Sequence, residues 1–408
     1  MKILHTSDWH LGRMLHGKKR YEEFEKFLEW LVQTIQDNEV DVLLVAGDVF
    51  DTSTPSNRSQ EQYYRFLCQI AATRCRNVII TAGNHDSPTF LNAPRELLKV
   101  LNVHVVGAAM DKSEDEVILL KNSNNKTECI VCAVPYLRDR DIRTSEAGEG
   151  IEDKQKKLLD GIRNHYDIVI KKALEEREKA GKQIPVVVMG HLFTVKGEVS
   201  EGDGVRELYV GSLAHVSTDF FCDSVDYVAL GHLHIPQKVA GSEVHRYSGS
   251  PLPIGFGEAK QNKSVCLVTF NEGTTKVDLI EVPVFQKLTS ITGTIQEIED
   301  DVRKLKQGNE KHWIEIVYNG KEVIGDLRQR LYEAVEGTEL EILKIHNRCF
   351  TDQLLTDESN ETLDNMNVHD VFRRCLDAYA IPEEQRTGLV AAFEEIVTTV
   401  EQIDVRAE

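Results

Sequence analysis

No stretch of this sequence approaches the roughly 18 consecutive apolar residues that a bilayer-spanning helix needs. The opening residues, Met1-Lys2-Ile3-Leu4-His5, run straight into a strand-like segment. They lack the basic start, apolar stretch and cleavage site of a secretory leader. Cysteine is sparse, with eight residues (68, 75, 129, 132, 222, 266, 349 and 375) scattered along 408. A secreted disulfide framework is denser and shorter, so a cytoplasmic protein is expected. Cys129-x-x-Cys132 has redox or zinc spacing but no second pair, and it lies in an apolar run. It reads as core strand, where a free thiol packs as a small hydrophobe. A Gly-x-x-x-x-Gly-Lys-Ser/Thr loop is also missing, which argues against direct ATP binding.

Positive charge is in short supply. The 48 Lys and Arg face 67 Asp and Glu, a net charge of −19. From Lys287 onward 14 basic residues face 26 acidic ones, leaving about −7 on the first 286 residues. Such a field opposes a polyanionic partner. Any affinity for a polyanion must then come from local basic groups, bound divalent cations or a partner subunit. Arg13, Lys18, Lys19 and Arg20 form one such group. Phosphate contacts and a solvated helix start are equally good readings of it.

What the sequence does contain is an alternation of short Val/Ile-rich runs with amphipathic stretches. Strands are predicted at 3–7, 40–46, 78–82, 129–134, 186–190, 227–230, 244–248 and 265–270. Tyr21, Phe24, Phe27, Leu28, Leu31 and Ile35 recur at helical spacing. Further helices are predicted at 60–72, 90–101 and 151–181. This pattern predicts an α/β domain over 1–285, with ligands gathering beyond the carboxyl ends of its strands. Residues 286–365 read as a small α+β domain, with strand, helix and strand over 286–350 and a polar linker over 351–365. Residues 366–408 read as two amphipathic helices split by Ile381-Pro382, which either pack back on their own domain or dock a partner.

Five strand ends carry metal-ligand residue types: Asp8-x-His10, Gly47-Asp48, Gly83-Asn84-His85-Asp86, Gly190-His191 and Gly231-His232-x-His234. Each alone is weak, since Gly-Asp is commonly a turn and Gly-Asn-His-Asp can be a capped loop. Together they fit a two-cation phosphoesterase. Such a site clamps the attacking and leaving oxygens of a phosphoester and needs a bridging carboxylate, which one Asp supplies. Imidazole nitrogens and an Asn carbonyl suit Mn, Fe or Zn, and the lack of a thiolate disfavours a structural zinc site. Asp8 and His10, two apart, would share a face of an extended strand end, as would His232 and His234. Asn84 and His85 would point apart, leaving His85 as a proton donor with Asp86 holding its ring.

These segments, all present and in order, resemble the calcineurin-like metallophosphoesterase superfamily. Asp8-Trp9-His10-Leu11-Gly12, Gly47-Asp48-Val49-Phe50-Asp51, Gly83 to Ser87, Tyr209 to Leu213, Asp226 to His234 and Tyr247 to Pro251 resemble the SbcD nuclease family more narrowly. The resemblance implies a four-layer αββα sandwich, a small capping domain, and a helical tail that grips SbcC, an ATPase. It implies that Asp8, His10, Asp48 and His234 hold one ion, and that Asp48, Asn84, His191 and His232 hold the other. The ions would be Mn2+, and His85, with Asp86, catalytic. It implies a homodimer through helices near 56–72 and 90–101, a heterotetramer with SbcC, and cutting of DNA ends, single strands and hairpins. Archaeal and eukaryotic relatives carry His where this chain has Asp51, so that His's role is not carried over. The alternatives are another phosphoesterase of the same site, acting on proteins or cyclic nucleotides, and a non-catalytic DNA-end scaffold.

Overall fold

The computed structural model describes residues 1–193, except 123, 143–149 and 182; 221 and 224–348, except 272, 309, 321 and 323; and 372, 373, 376, 386, 388–390, 393 and 394. It divides into two compact units, Met1–Thr289 and Ser290–Glu408.

The first unit begins with β1 (Lys2–Thr6), the two-residue strands β2 (Met14–Leu15) and β3 (Lys18–Lys19), α1 (Tyr21–Asp37) and β4 (Val42–Ala46). There follow α2 (Asn57–Ala71), β5 (Asn77–Thr81), α3 (Pro88–Asn92), α4 (Arg95–Lys99) and β6 (Val103–Val106). Next come β7 (Val117–Lys121), β8 (Thr127–Ala133), α5 (Asp139–Ile142), α6 (Ile151–Ala180) and β9 (Val186–His191). The unit ends with β10 (Tyr227–Gly231), β11 (Gln237–Lys238), β12 (His245–Tyr247), β13 (Ser264–Asn271) and β14 (Thr274–Glu281).

Two six-stranded sheets result, ordered β14-β13-β1-β4-β5-β6 and β11-β12-β10-β9-β8-β7. Strands β1, β4, β5 and β6 pair in parallel, as do β8, β9, β10 and β12. The sheets face each other across a core containing Ile3, Leu44, Ile79, Val131, Val187 and Ala229. The outer face of the first sheet packs on α1 and α2 through Phe24, Phe27, Leu31, Tyr63 and Phe66. That of the second packs on α6 through Tyr166, Val169 and Ala173. The layers are therefore helix, sheet, sheet, helix, which is the four-layer sandwich. Strands buried on both faces explain why β4 reads Val-Leu-Leu-Val-Ala with no polar alternation.

Cys129 and Cys132 lie on opposite faces of β8, one in the inter-sheet core and the other in the core under α6. A strand places residues three apart on opposite sides, so the pair cannot chelate or cross-link.

Several expectations need correcting. The helix predicted over 90–101 is two short helices, because Pro94 lacks the N–H that a continuous helix needs. Strands β2, β3, β6, β7, β11 and β14 are additions to the predicted set: β2, β3 and β11 are two residues long, β6 follows on α4, and β7 and β14 are edge strands with mixed burial. In the second unit the predicted strand, helix and strand are joined by an earlier strand and helix. The order is β15 (Lys287–Gly293), α7 (Ile295–Gln307), β16 (His312–Tyr318), α8 (Leu327–Val335) and β17 (Leu340–Asn347). Helix α7 opens on a capping box between Thr294 and Glu297, a spacing that marks a helix start in sequence. Tyr209 to Leu213 and most of the two tail helices lie outside the described residues. Within the tail, the Phe372 and Phe393 rings stack at 3.9 Å.

Leu44 is fully buried between the sheets. Leu44→Ala is expected to lower the unfolding free energy by ~2–5 kcal/mol, to be read from a urea titration.

Candidate metal centre

Parallel strands leave their carboxyl ends along one edge of a sheet, and both sheets use that edge. Neighbours β1, β4 and β5 lead into Asp8 and His10, Asp48, and Asn84 and His85. Neighbours β9 and β10 lead into His191, and into His232 and His234.

The backbone at these ends is not extended, which corrects the alternation argument. Asp8 (φ 52°), His10 (φ 49°), Asp48 (φ 49°) and His232 (φ 103°) have positive φ. For a non-glycine residue this costs on the order of 1–3 kcal/mol and persists only where the surroundings over-determine it. They do so here. The N–H groups of Asp8 and His10 donate to the carbonyls of Gly47 and Asp48, each at 3.0 Å. The His232 N–H donates to Asp8 Oδ1 at 2.9 Å. Between Asp8 and His10, Trp9 is driven wholly into the core against Phe27 and Phe66. Convergence of Asp8 and His10 thus comes from a kinked loop pinned by a tryptophan.

The donor atoms of Asp8, His10 and His234 lie within 4.8 Å of one another, and so do those of Asp48, His191 and His232. Asn84 Oδ1 joins the second group, 3.1 Å from His191 Nε2 and 3.0 Å from His232 Nδ1. Asp48 Oδ2 stands between the groups, 3.3 Å from His191 Nε2 and 3.6 Å from His10 Nε2. Its other oxygen accepts the His85 N–H at 2.9 Å. A Cβ on Gly83 would fall 2.1 Å from Asp48 Oδ1, so only glycine lets the Asn84 loop come this close.

The Asp48 carboxylate raises one imidazole of the pocket, whereas burial lowers two others. Burial pulls the His191 imidazole down, yet contact with Asp48 and the charge of Asp8 raise it to about 9. Burial would lift the Asp48 carboxyl, but His191 and His10 hold it well below the carboxylate range. Burial, reinforced by the charge of His191, pushes His232 down to about 3, and burial also lowers His10. Neutral imidazoles keep the lone pairs that ligation requires. The His191 Nδ1–H donates to the Ala46 carbonyl at 3.0 Å, which turns Nε2 toward Asp48. Oxygen and imidazole donors without thiolate fit divalent cations.

His85 and Asp51 form a third grouping with His10, but Asp51 also pairs with Arg13 at 3.0 Å and lies 3.4 Å from His10 Nδ1. Its carboxylate orients His10, and its carbonyl accepts the His85 Nδ1–H at 2.9 Å. This corrects the expectation that Asp86 holds the His85 ring. The Asp86 carboxylate instead accepts the N–H groups of Gly83, Val49 and Phe50 at 2.8, 3.1 and 2.9 Å. Burial and the Asp48 charge push Asp86 up to about 6, against those three bonds. Asp86 therefore clips the Asp48 and Asn84 loops together. Arg20 is corrected too: its buried guanidinium pairs with Glu23 at 2.7 Å and donates to the Pro253 carbonyl at 2.7 Å, so it is not offered to a phosphate. Sequence reasoning also missed Glu258, fully buried, with Oε1 3.4 Å from His234 Nδ1. No motif spacing links the two.

Comparison with known proteins now bears on this geometry. The calcineurin-like phosphoesterase family model matches residues 1–236. The chain is 34% identical over 397 residues to the SbcD subunit of the nuclease SbcCD from Escherichia coli K12, covering 96% of this chain and 97% of that one. The chain belongs to the SbcD family of calcineurin-like phosphoesterases. It is accordingly a metal-dependent hydrolase of phosphodiester bonds, and its site takes divalent ions. The corresponding SbcD of Bacillus subtilis is 28% identical with full coverage of both chains. That of Rhodobacter capsulatus is 33% identical over 288 residues, 68% of this chain and 66% of its own. Residues 284–379 match a second family model, the Type 5 capsule protein repressor C-terminal domain.

Gly83→Ala is expected to displace the Asp48 carboxylate and lower phosphodiesterase activity ~100-fold or more, as misplacements near 1 Å do. Steady-state rates beside a circular dichroism melt would separate this from unfolding.

Proposed function

We propose that this chain is the nuclease subunit of a DNA-processing complex. It would act as an exonuclease on double-stranded ends and an endonuclease on single strands and hairpins, in cytoplasmic DNA repair, recombination and replication. The observation that carries the reading is Asp48 Oδ2, set between a histidine of each donor group, in a chain alike over nearly its whole length to a nuclease subunit. On this reading Asp8, His10, Asp48 and His234 hold one Mn2+, and Asp48, Asn84, His191 and His232 the other. When bound, the two ions would neutralise charge on the phosphoryl oxygens and clamp the attacking and leaving oxygens.

His85 is the proton donor to the leaving oxygen. The Asp51 carbonyl fixes its Nδ1–H, so Nε2 is the nitrogen that must first take up a proton and then pass it to the leaving oxygen. Its half-buried position, with its ring 4.9 Å from that of His10, places it beside the ligands without joining either group. Asp86 supports it through the loop, as a positioning residue.

The partner would be SbcC, an ATPase, in a heterotetramer of two copies each, with residues 366–408 docking it and 286–365 capping the site. The relatives are named as subunits of SbcCD, and the absence of an ATP-binding loop from the sequence fits that division of labour. The homodimer would form through the helices near 56–72 and 90–101, where Leu97 of α4 and Val100 just after it are 71% and 79% exposed. Such apolar exposure marks an interaction surface. Among the described residues no helix is long and apolar enough to cross a membrane.

His85→Gln is expected to lower DNA cleavage by ~10²–10⁴-fold, the range of general acid catalysis, while Mn2+ calorimetry still counts two ions. Undiminished cutting would remove His85 from the mechanism. A chain ending at Asp364 is expected to lose co-purification with SbcC and keep its Mn2+ binding.

A further inference from the structure

The segment Tyr247-Ser248-Gly249-Ser250-Pro251 and the 3-10 turn Phe256–Glu258 stand apart from the donor groups. Their polar atoms nevertheless converge on one of them. Ser250 N–H donates to the His234 carbonyl at 3.1 Å. A Cβ on Gly249 would lie 2.7 Å from that carbonyl oxygen, so the motif is packed directly on the His234 backbone. Lys263, 4% exposed, donates through Nζ to the same carbonyl at 3.0 Å, to Ser250 Oγ at 3.1 Å and to Glu258 Oε2 at 2.5 Å. Glu258 Oε2 also accepts the Ile254 N–H at 3.1 Å. Its other oxygen, Oε1, faces His234 Nδ1 at 3.4 Å. The far nitrogen, His234 Nε2, lies 3.3 Å from His10 Nε2 in the donor group.

We propose that Glu258, itself held by Lys263, is a positioning residue for His234. Its carboxylate holds the Nδ1–H tautomer, so that Nε2 presents its lone pair to the cation beside Asp8 and His10. The inference rests on the reading of Asp8, His10 and His234 as ligands and adds a residue to it. Burying a carboxylate is costly unless it is paired. Lys263 satisfies one oxygen, and the other, buried without a hydrogen-bond partner among the described residues, faces His234 Nδ1 at 3.4 Å. A carboxylate behind a ligating imidazole fixes its orientation and raises its basicity. His191 is oriented differently, by the neutral Ala46 carbonyl, so loss of Glu258 touches one donor group and spares the other.

The test is Glu258→Gln in the full chain, which keeps the side-chain shape and removes the charge. Mn2+ uptake is followed by electron paramagnetic resonance, with melting of the metal-free protein alongside. One of the two Mn2+ affinities is expected to fall ~10–100-fold, the usual effect of removing such a partner, with the other within a few-fold of the parent. A lower melting temperature with both affinities unchanged would overturn the proposal and leave Glu258 a structural residue. Should the variant fail to fold, nitrogen-15 correlation spectra of the unaltered chain with Zn2+ decide. A proton on His234 Nδ1 with metal-shifted Nε2 supports the assignment, and the reverse pattern overturns it. An unaltered chain that takes up no Mn2+ would overturn the ligand reading and this proposal together.

Discussion

Asp48 is an ionised carboxylate 2% exposed to solvent, and such a group survives only if every neighbour answers its charge. His191 comes to it from the second sheet, His10 from the β1 loop, and the His85 N–H from the loop after β5. These three approaches fix how far apart the two sheets and three loops can be. Gly83 is required by the third of them, and the strained backbone at Asp8, His10 and His232 follows from meeting the same loop cluster. In the pocket that results the Asp48 carboxylate raises His191 to about 9 while burial holds His232 down at about 3, so the demand for positive charge centres on Asp48. On the reading proposed above, two divalent ions would meet that demand and bring a phosphodiester to the site.

The histidines differ by what stands behind them. His191 has a peptide carbonyl, His10 has Asp51, and His234 has Glu258 with Lys263. His85 has the Asp51 carbonyl and belongs to neither donor group that shares Asp48 Oδ2. All four are backed at Nδ1, so an imidazole becomes a ligand or a proton donor according to where its Nε2 points. Asp51 serves two of them at once, by its side chain and by its backbone, which links the orientation of His10 to that of His85. The chain is strongly acidic overall, Arg20 is buried against Glu23, and Arg13 is paired with Asp51. On that account, DNA affinity would come from the bound ions and the partner as much as from this surface.

Much of this was legible in the sequence. The apolar runs gave most strands of both sheets because they are buried on both faces and read as continuous Val/Ile segments. The donor residues were legible because each directly follows such a run. Strands β7 and β14 were not, since an edge strand with mixed burial carries neither a continuous nor a cleanly alternating pattern. The role of Asp86 was misjudged because adjacency in sequence suggested a partner for His85, whereas its carboxylate turns to Gly83, Val49 and Phe50. Arg20 read as a surface cation because nothing local shows that Glu23 and Pro253 close over it.

Taken alone, the sequence determined which residues could bind metal, since residue type and strand-end position are local properties written in the chain. It also determined the family, through motifs held in order. Only the tertiary structure decided which oxygen stands between the two donor groups, which nitrogen of each histidine faces the site, and that Glu258 backs His234. Those are matters of distance between segments remote in the chain, set by how two sheets pack, and no local pattern encodes them.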